Sequence, residues 1–240
     1  MNIAIIGDTH FGARNDNVNF SEYFYKFYEE QFFPYLKENN IKHCIHLGDI
    51  MDRRKYVSYR TVKEFREKFI QPFIDLEIEL HILVGNHDTY FKNTNEVNSV
   101  TELIGNRYKN VKIYPEAKEA TFDDLSVLFL PWLNSSNHAS TMKIIEQSRS
   151  DMCMGHLEIA GFEMMKGMKN EHGYDKSIFT KFDSVFSGHF HHKSDDGQIY
   201  YLGSPYEFYW NDCDDRKGFH VFRTENRRLD RIINPRTIHK

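Results

Sequence analysis

Short apolar runs, each closed by a turn, recur along the chain. Asn2-Ile3-Ala4-Ile5-Ile6, His43-Cys44-Ile45-His46-Leu47, Glu79-Leu80-His81-Ile82-Leu83-Val84 and Ser184-Val185-Phe186-Ser187 are rich in β-branched or apolar residues and read as buried strands. Between the first two, residues 18–37 place Phe20, Phe24, Phe27, Tyr28 and Phe32 largely at three- and four-residue spacing; between the next two, residues 58–75 place Val62, Phe65, Phe69 and Phe73 on one stripe. Both patterns predict amphipathic helices covering a sheet, ended or kinked early by Pro34 and Pro72. The interval between successive strand ends, about forty residues, is that of a βαβαβ series.

Beyond Ile113 the pattern shortens. Strands are predicted near 111–114, 126–130, 184–187, 198–202 and 219–222, with another beginning at Met152 and a helix near 138–147. The turn-rich intervals suggest a more antiparallel second half. Two mixed β-sheets packed face to face with flanking helices, a four-layer αββα arrangement of the α/β class, accommodate both halves. A single domain over 1–240 is expected, with the polar stretches 134–137 and 166–174 its least ordered parts.

Composition adds three constraints. The 20 Phe and 14 Tyr predict an aromatic-heavy core, and a formal charge of −4 supplies no global attraction to nucleic acid, so any DNA contact must be local. The cysteines Cys44, Cys153 and Cys213 are odd in number and lack paired spacing, which points to a reducing compartment. With no signal pattern and no membrane-length apolar run, a cytoplasmic protein is expected.

The chemistry lies where the runs end. Asp8-Thr9-His10, Gly48-Asp49, Gly85-Asn86-His87-Asp88, Gly155-His156 and Gly188-His189-Phe190-His191 present oxygen and nitrogen donors, most of them at strand ends. Any one of these motifs is an ordinary turn. Together, at corresponding strand ends, they predict a site for two divalent metal ions, Asp8, His10, Asp49 and His191 for one and Asp49, Asn86, His156 and His189 for the other. Asp49 bridges because a carboxylate has two oxygens. A mixed shell without thiolates suits Mn²⁺, Fe²⁺ or Zn²⁺. His87 is left over as a candidate catalytic proton donor, with Asp88 beside it to orient the ring. Arg14, Arg53, Arg54 and Lys55 follow the first two motifs and are candidate phosphate contacts. The remaining histidines, His43, His46 and His81 among them, read as structural or surface residues, with His192 the leading exception.

These motifs resemble those of the calcineurin-like metallophosphoesterases. Within that family Asp8-Thr9-His10-Phe11-Gly12, Gly48-Asp49-Ile50-Met51-Asp52, Tyr201-Leu202-Gly203-Ser204-Pro205 and Arg216-Lys217-Gly218-Phe219 are similar to the SbcD-type nucleases of double-strand-break repair, including phage recombination nucleases. The resemblance implies a manganese-dependent 3′-to-5′ exonuclease and single-strand endonuclease acting on DNA in repair, recombination or replication. It also implies an SbcC-type ATPase partner, a homodimer through helices after the second and third motifs, and host cytoplasm for a phage-encoded protein. Family members continue into DNA-capping and ATPase-docking regions, which are not expected within 1–240. Two other readings stand beside this one. A protein phosphatase or cyclic-nucleotide phosphodiesterase would use the same scaffold, although Arg54 replaces the glycine of the phosphatase sequence Asp-Arg-Gly. A non-catalytic metal-binding scaffold is the other, since a fold alone does not guarantee activity.

Overall fold

The computed structural model describes residues 1–239. The strands are β1 (Asn2–Ile6), β2 (His43–His46), β3 (Glu79–Leu83), β4 (Val111–Tyr114), β5 (Lys118–Phe122), β6 (Leu125–Leu130) and β7 (Met152–Gly155). They are followed by β8 (Glu163–Met165), β9 (Met168–Lys169), β10 (Ser184–Ser187), β11 (Ser194–Asp195), β12 (Ile199–Tyr201), β13 (Gly218–Arg223) and β14 (Arg228–Ile233). One six-stranded sheet runs β14-β13-β1-β2-β3-β4 and a second runs β11-β12-β10-β7-β6-β5. Alternation along each strand sends one set of side chains between the sheets and the other outward. Ile3, Ile5, Ile45 and Leu83 meet Phe129, Met154 and Phe186 in the middle, while Ala4, Ile6, Leu80 and Ile82 pack under the two long helices. Ile145 of the helix His138–Gln147 covers the outer face of the second sheet. Four layers result, as the sequence pattern implies.

The prolines do not end the helices. The first helix runs Val18–Phe27, widens through a π turn at Tyr28–Phe32, and continues as Phe33–Glu38; the second runs Tyr59–Phe65, Arg66–Ile70 and Gln71–Asp75 in the same way. In each, the residue just before the proline donates five residues back, Phe33 to the Tyr28 carbonyl and Gln71 to the Arg66 carbonyl. One widened turn therefore makes room for a ring that would otherwise clash with the preceding turn. Phe65, Phe69 and Phe73 are wholly buried, and Phe24 stacks on Tyr206 at 3.8 Å.

The second sheet is less antiparallel than the sequence suggests. β6, β7, β10 and β12 are mutually parallel and only the edge strands β5 and β11 run against them. The cause is the helix 138–147, which carries the chain back as a crossover between β6 and β7. The polar stretches carry local structure. Asn134 donates to the Asn95 side chain at 2.8 Å, and 166–174 contains part of the β8–β9 hairpin. All three cysteines are free; Cys44 and Cys153 are fully buried, which pushes their thiols up. Among the described residues no helix is long and apolar enough to cross a membrane.

Candidate metal centre

The loops that follow β1, β2, β3, β7 and β10 meet at one end of the two sheets. They are laced together by backbone bonds: Asp8 N–H donates to the Gly48 carbonyl (2.9 Å), His10 N–H to Asp49 (3.1 Å) and Phe11 N–H to Ile50 (2.7 Å). The His189 N–H donates to Asp8 Oδ1 at 2.9 Å. Four candidate ligands sit in the left-handed backbone region, Asp8 (φ 53°), His10 (φ 44°), Asp49 (φ 56°) and His189 (φ 84°). Such conformations cost about 1–3 kcal/mol each, cluster at functional sites, and persist only where their surroundings over-determine them. Gly85 shows how tight the lacing is, because a Cβ there would stand 2.3 Å from Asp49 Oδ1.

Two nests of donor atoms share Asp49. Asp8, His10 and His191 form one, with His10 Nε2 and His191 Nε2 3.0 Å apart. The other contains His156 and His189, whose Nε2 and Nδ1 lie 2.8 and 2.9 Å from Asn86 Oδ1. Asp49 Oδ2 stands 3.3 Å from His156 Nε2 and 3.8 Å from His10 Nε2, between the nests. Buried Asp8 Oδ2, in the first nest, has no hydrogen-bond partner. Imidazoles gathered about a shared carboxylate, with a buried carboxylate oxygen left unpaired beside them, fit two cations, since leaving such an atom unpaired costs free energy.

The electrostatics have the same character. Burial, then neighbouring histidines, hold the His10, His189 and His191 rings neutral, with His189 pushed down to about 3; for His191, also about 3, Lys217 is the main neighbour. Burial opposes charge on His156 too, but Asp49 and Asp8 draw its pKa up to about 9. Asp49 is held well below the usual carboxylate range, chiefly by His156 working against burial, while burial raises Asp8 to about 8. A cation in this nest would compete with a proton for His156 Nε2.

His87 lies in the same cluster, within ligand distance of His10 and Asp49. Its backbone N–H donates to Asp49 Oδ1 (2.7 Å) and its Nδ1 to the Asp52 carbonyl (2.6 Å), which leaves Nε2 free. The expectation that Asp88 orients this ring is corrected. The buried Asp88 carboxylate accepts the backbone N–H groups of Gly85, Asp49, Ile50 and Met51 at 2.9–3.0 Å, so it ties the second and third loops together.

The four basic candidates do not act as a block. Arg53 is committed to Asp16 and to Asn15 and lies 4.6 Å from the Tyr56 ring centre, and Arg54 donates to Thr89 at 2.8 Å. Lys55 sits over Tyr90, and Arg14 lies between Phe20 and Tyr209. Sequence reasoning missed the aromatic partners. Tyr209 stacks beside His191 and Trp132 packs against His189; Tyr56, Tyr209 and Trp210 are 67%, 47% and 70% exposed. Exposed aromatics next to cations were the available signal, but only the fold shows that Lys55 meets Tyr90 and Arg14 meets Tyr209.

The family model described as calcineurin-like phosphoesterase matches residues 1–193. Exonuclease subunit 1 of Enterobacteria phage T4 is 35% identical over 243 aligned residues, covering 100% of this chain and 70% of that protein. A dimetal phosphatase from Danio rerio superposes with a TM-score of 0.57 at 11% identity, over 92% of this chain and 91% of its own. A purple acid phosphatase from yellow lupin superposes at 0.51 with 14% identity, over 80% of this chain and 38% of its own. Both structural likenesses concern the fold alone.

Proposed function

The chain belongs to the calcineurin-like phosphoesterase family, and we propose that within it the protein is a DNA nuclease, a 3′-to-5′ exonuclease and single-strand endonuclease of recombination, repair or replication. The observation that carries this reading is the set of exposed aromatics paired with cations on the loops that also carry the candidate ligands. Tyr90 with Lys55 and Tyr209 with Arg14 pair an aromatic face with a positive charge. Unpaired bases stack on such surfaces while their phosphates meet the cations. A small phosphomonoester needs neither. The phage relative's name, an exonuclease subunit, supports the same reading.

Two divalent cations, for which the mixed donor set suits Mn²⁺, would polarise the phosphate and activate water for in-line attack. Asp8, His10, Asp49 and His191 would hold one, and Asp49, Asn86, His156 and His189 the other. His87, its Nδ1 fixed on the Asp52 carbonyl, passes a proton from Nε2 to the departing 3′ oxygen. Trp132 packs against the His156 and His189 rings, and Tyr209 stacks beside His191.

The test compares single-stranded DNA, linear duplex and circular plasmid with a phosphopeptide and a cyclic nucleotide, all with Mn²⁺. Cleavage of single strands and of duplex ends is expected to exceed the other activities by at least tenfold. Turnover of the phosphopeptide or cyclic nucleotide alone would sink the nuclease reading in favour of a phosphatase or phosphodiesterase. No turnover of any substrate would leave a binding scaffold.

An SbcC-type ATPase partner and a homodimer belong to the same proposal. Phe65, Phe69 and Phe73 are spent on the core, and Lys63 and Glu67 pair with each other on the outer face of that helix. The fully exposed Tyr59 at the helix start, with the short helix Ser99–Leu103, is the remaining candidate for a seam. Sedimentation at micromolar concentration is expected to give a dimer; a monomer alone and with the ATPase would remove this part.

A further inference from the structure

We propose a third cation site at the opposite end of the first sheet, formed by His43, Glu79 and His81 and suited to a zinc-class divalent transition metal. His43 and Glu79 are the first residues of β2 and β3 and are paired in register. His81 is two residues beyond Glu79 and so shares its face. The catalytic loops leave the other ends of these strands, roughly 20 Å away at the rise of a strand. One donor atom from each of the three residues lies within 4.8 Å of the other two. From Glu79 Oε1, His81 Nε2 is 2.7 Å away and His43 Nδ1 3.8 Å.

A second observation points into the same space. The His81 side chain is only 3% exposed, yet its Nε2 is buried without an aligned hydrogen-bond partner, as is His43 Nδ1. The tautomer that donates Nδ1–H to the Tyr114 hydroxyl, 2.9 Å away, leaves the Nε2 lone pair toward Glu79. Hydrogen bonding at the other ring nitrogen is how proteins fix an imidazole ligand. At 2.7 Å that lone pair and the Glu79 oxygen need a proton or a metal ion between them, and a divalent ion there would also engage His43 Nδ1. Phe122 packs edge-on against both rings and limits their escape.

Protonation states agree. Burial pushes His81 down to about 4, which leaves the ring neutral. Burial opposes charge on Glu79, but Lys112, His81 and His43 lower its pKa overall. Two imidazoles and a carboxylate form a donor set for Zn²⁺ and its neighbours, with solvent completing the shell. Lys112 Nζ, 2.7 Å from the same Glu79 oxygen, is the competitor; its side chain is half exposed and free to swing outward. His43 and Glu79 also line a surface depression of about 660 Å³, which gives a cation a route from solvent.

Equilibrium dialysis of the intact chain against micromolar Zn²⁺, followed by metal counting, tests the site. Three equivalents are expected for the wild type and two for His43→Gln and Glu79→Gln, with both variants keeping wild-type phosphodiester turnover in Mn²⁺. Circular dichroism confirms that they fold; His43 and Glu79 are partly exposed, so neither change opens the core. His172→Gln, at an exposed histidine, should still bind three. Two equivalents in the wild type, three in both cluster variants, or a loss in His172→Gln would overturn the site.

Discussion

Asp49→Asn is expected to remove at least one of the two catalytic metal equivalents and to lower phosphodiester turnover by roughly 10⁴-fold or more, the scale on which an interdependent catalytic unit fails when one member is lost. Asp49 is the one acidic group between the nests, facing His156 at 3.3 Å and His10 at 3.8 Å. Its other oxygen accepts the His87 N–H at 2.7 Å. Asparagine retains an oxygen for that bond while removing the charge, so the loops should remain laced. Alanine would also leave the His87 amide unpaired, at a cost of about 1–3 kcal/mol, and would mix a folding defect into the result. Inductively coupled plasma counting of bound Mn²⁺ beside a nuclease assay reads both effects. Two full equivalents with unimpaired turnover would show that the two nests do not depend on this carboxylate.

Much of this centre is legible because its donors sit immediately after strands, where periodicity and turn chemistry are both strong. Asp8, Asp49 and Asn86 are placed by three parallel neighbours whose apolar runs are unmistakable, and parallel neighbours end on the same side. The aromatic stripes of the two long helices are equally plain. What periodicity does not carry is how the helices absorb Pro34 and Pro72. The wider π turn keeps the four-residue repeat of Phe65, Phe69 and Phe73 on one buried face, so the expected break never shows as a change of pattern. Direction in the second sheet is lost for a similar reason, since a strand's alternation is the same whichever way its neighbour runs.

Side-chain partnerships are the least legible part. Asp88 adjoins His87 in sequence, but their side chains have different partners. The Asp88 carboxylate turns back to collect four backbone amides, and the carbonyl that orients His87 comes from Asp52, 35 residues earlier. Arg53-Arg54-Lys55 reads as one positive block, yet Arg53 is consumed in holding the turn at Asn15 and Asp16. That turn is left-handed at Arg14, Asn15 and Asp16, a conformation costly for ordinary residues. Asp16 stabilises it by accepting also from Ser58 and Thr61 at 2.9 and 2.6 Å. His43 and His81 read as lone strand histidines because the carboxylate they share is visible only once β2 and β3 are set in register.

His87→Ala is expected to retain both metal equivalents while cutting DNA turnover by roughly 10²–10⁴-fold, the range for removal of a positioned general acid. The hydrogen bond from Nδ1 to the Asp52 carbonyl at 2.6 Å fixes the ring and leaves Nε2 as its working atom. The ring also lies within ligand distance of His10 and Asp49, so the geometry alone permits a second role in holding metal. A leaving group that needs no proton separates the two. With bis(p-nitrophenyl) phosphate the nitrophenolate departs unaided, and the defect should shrink to less than about tenfold if His87 is the acid. A ligand role predicts an equal loss on both substrates together with a missing metal equivalent. That pair of results, or wild-type turnover of DNA by the variant, would remove His87 from the position of proton donor.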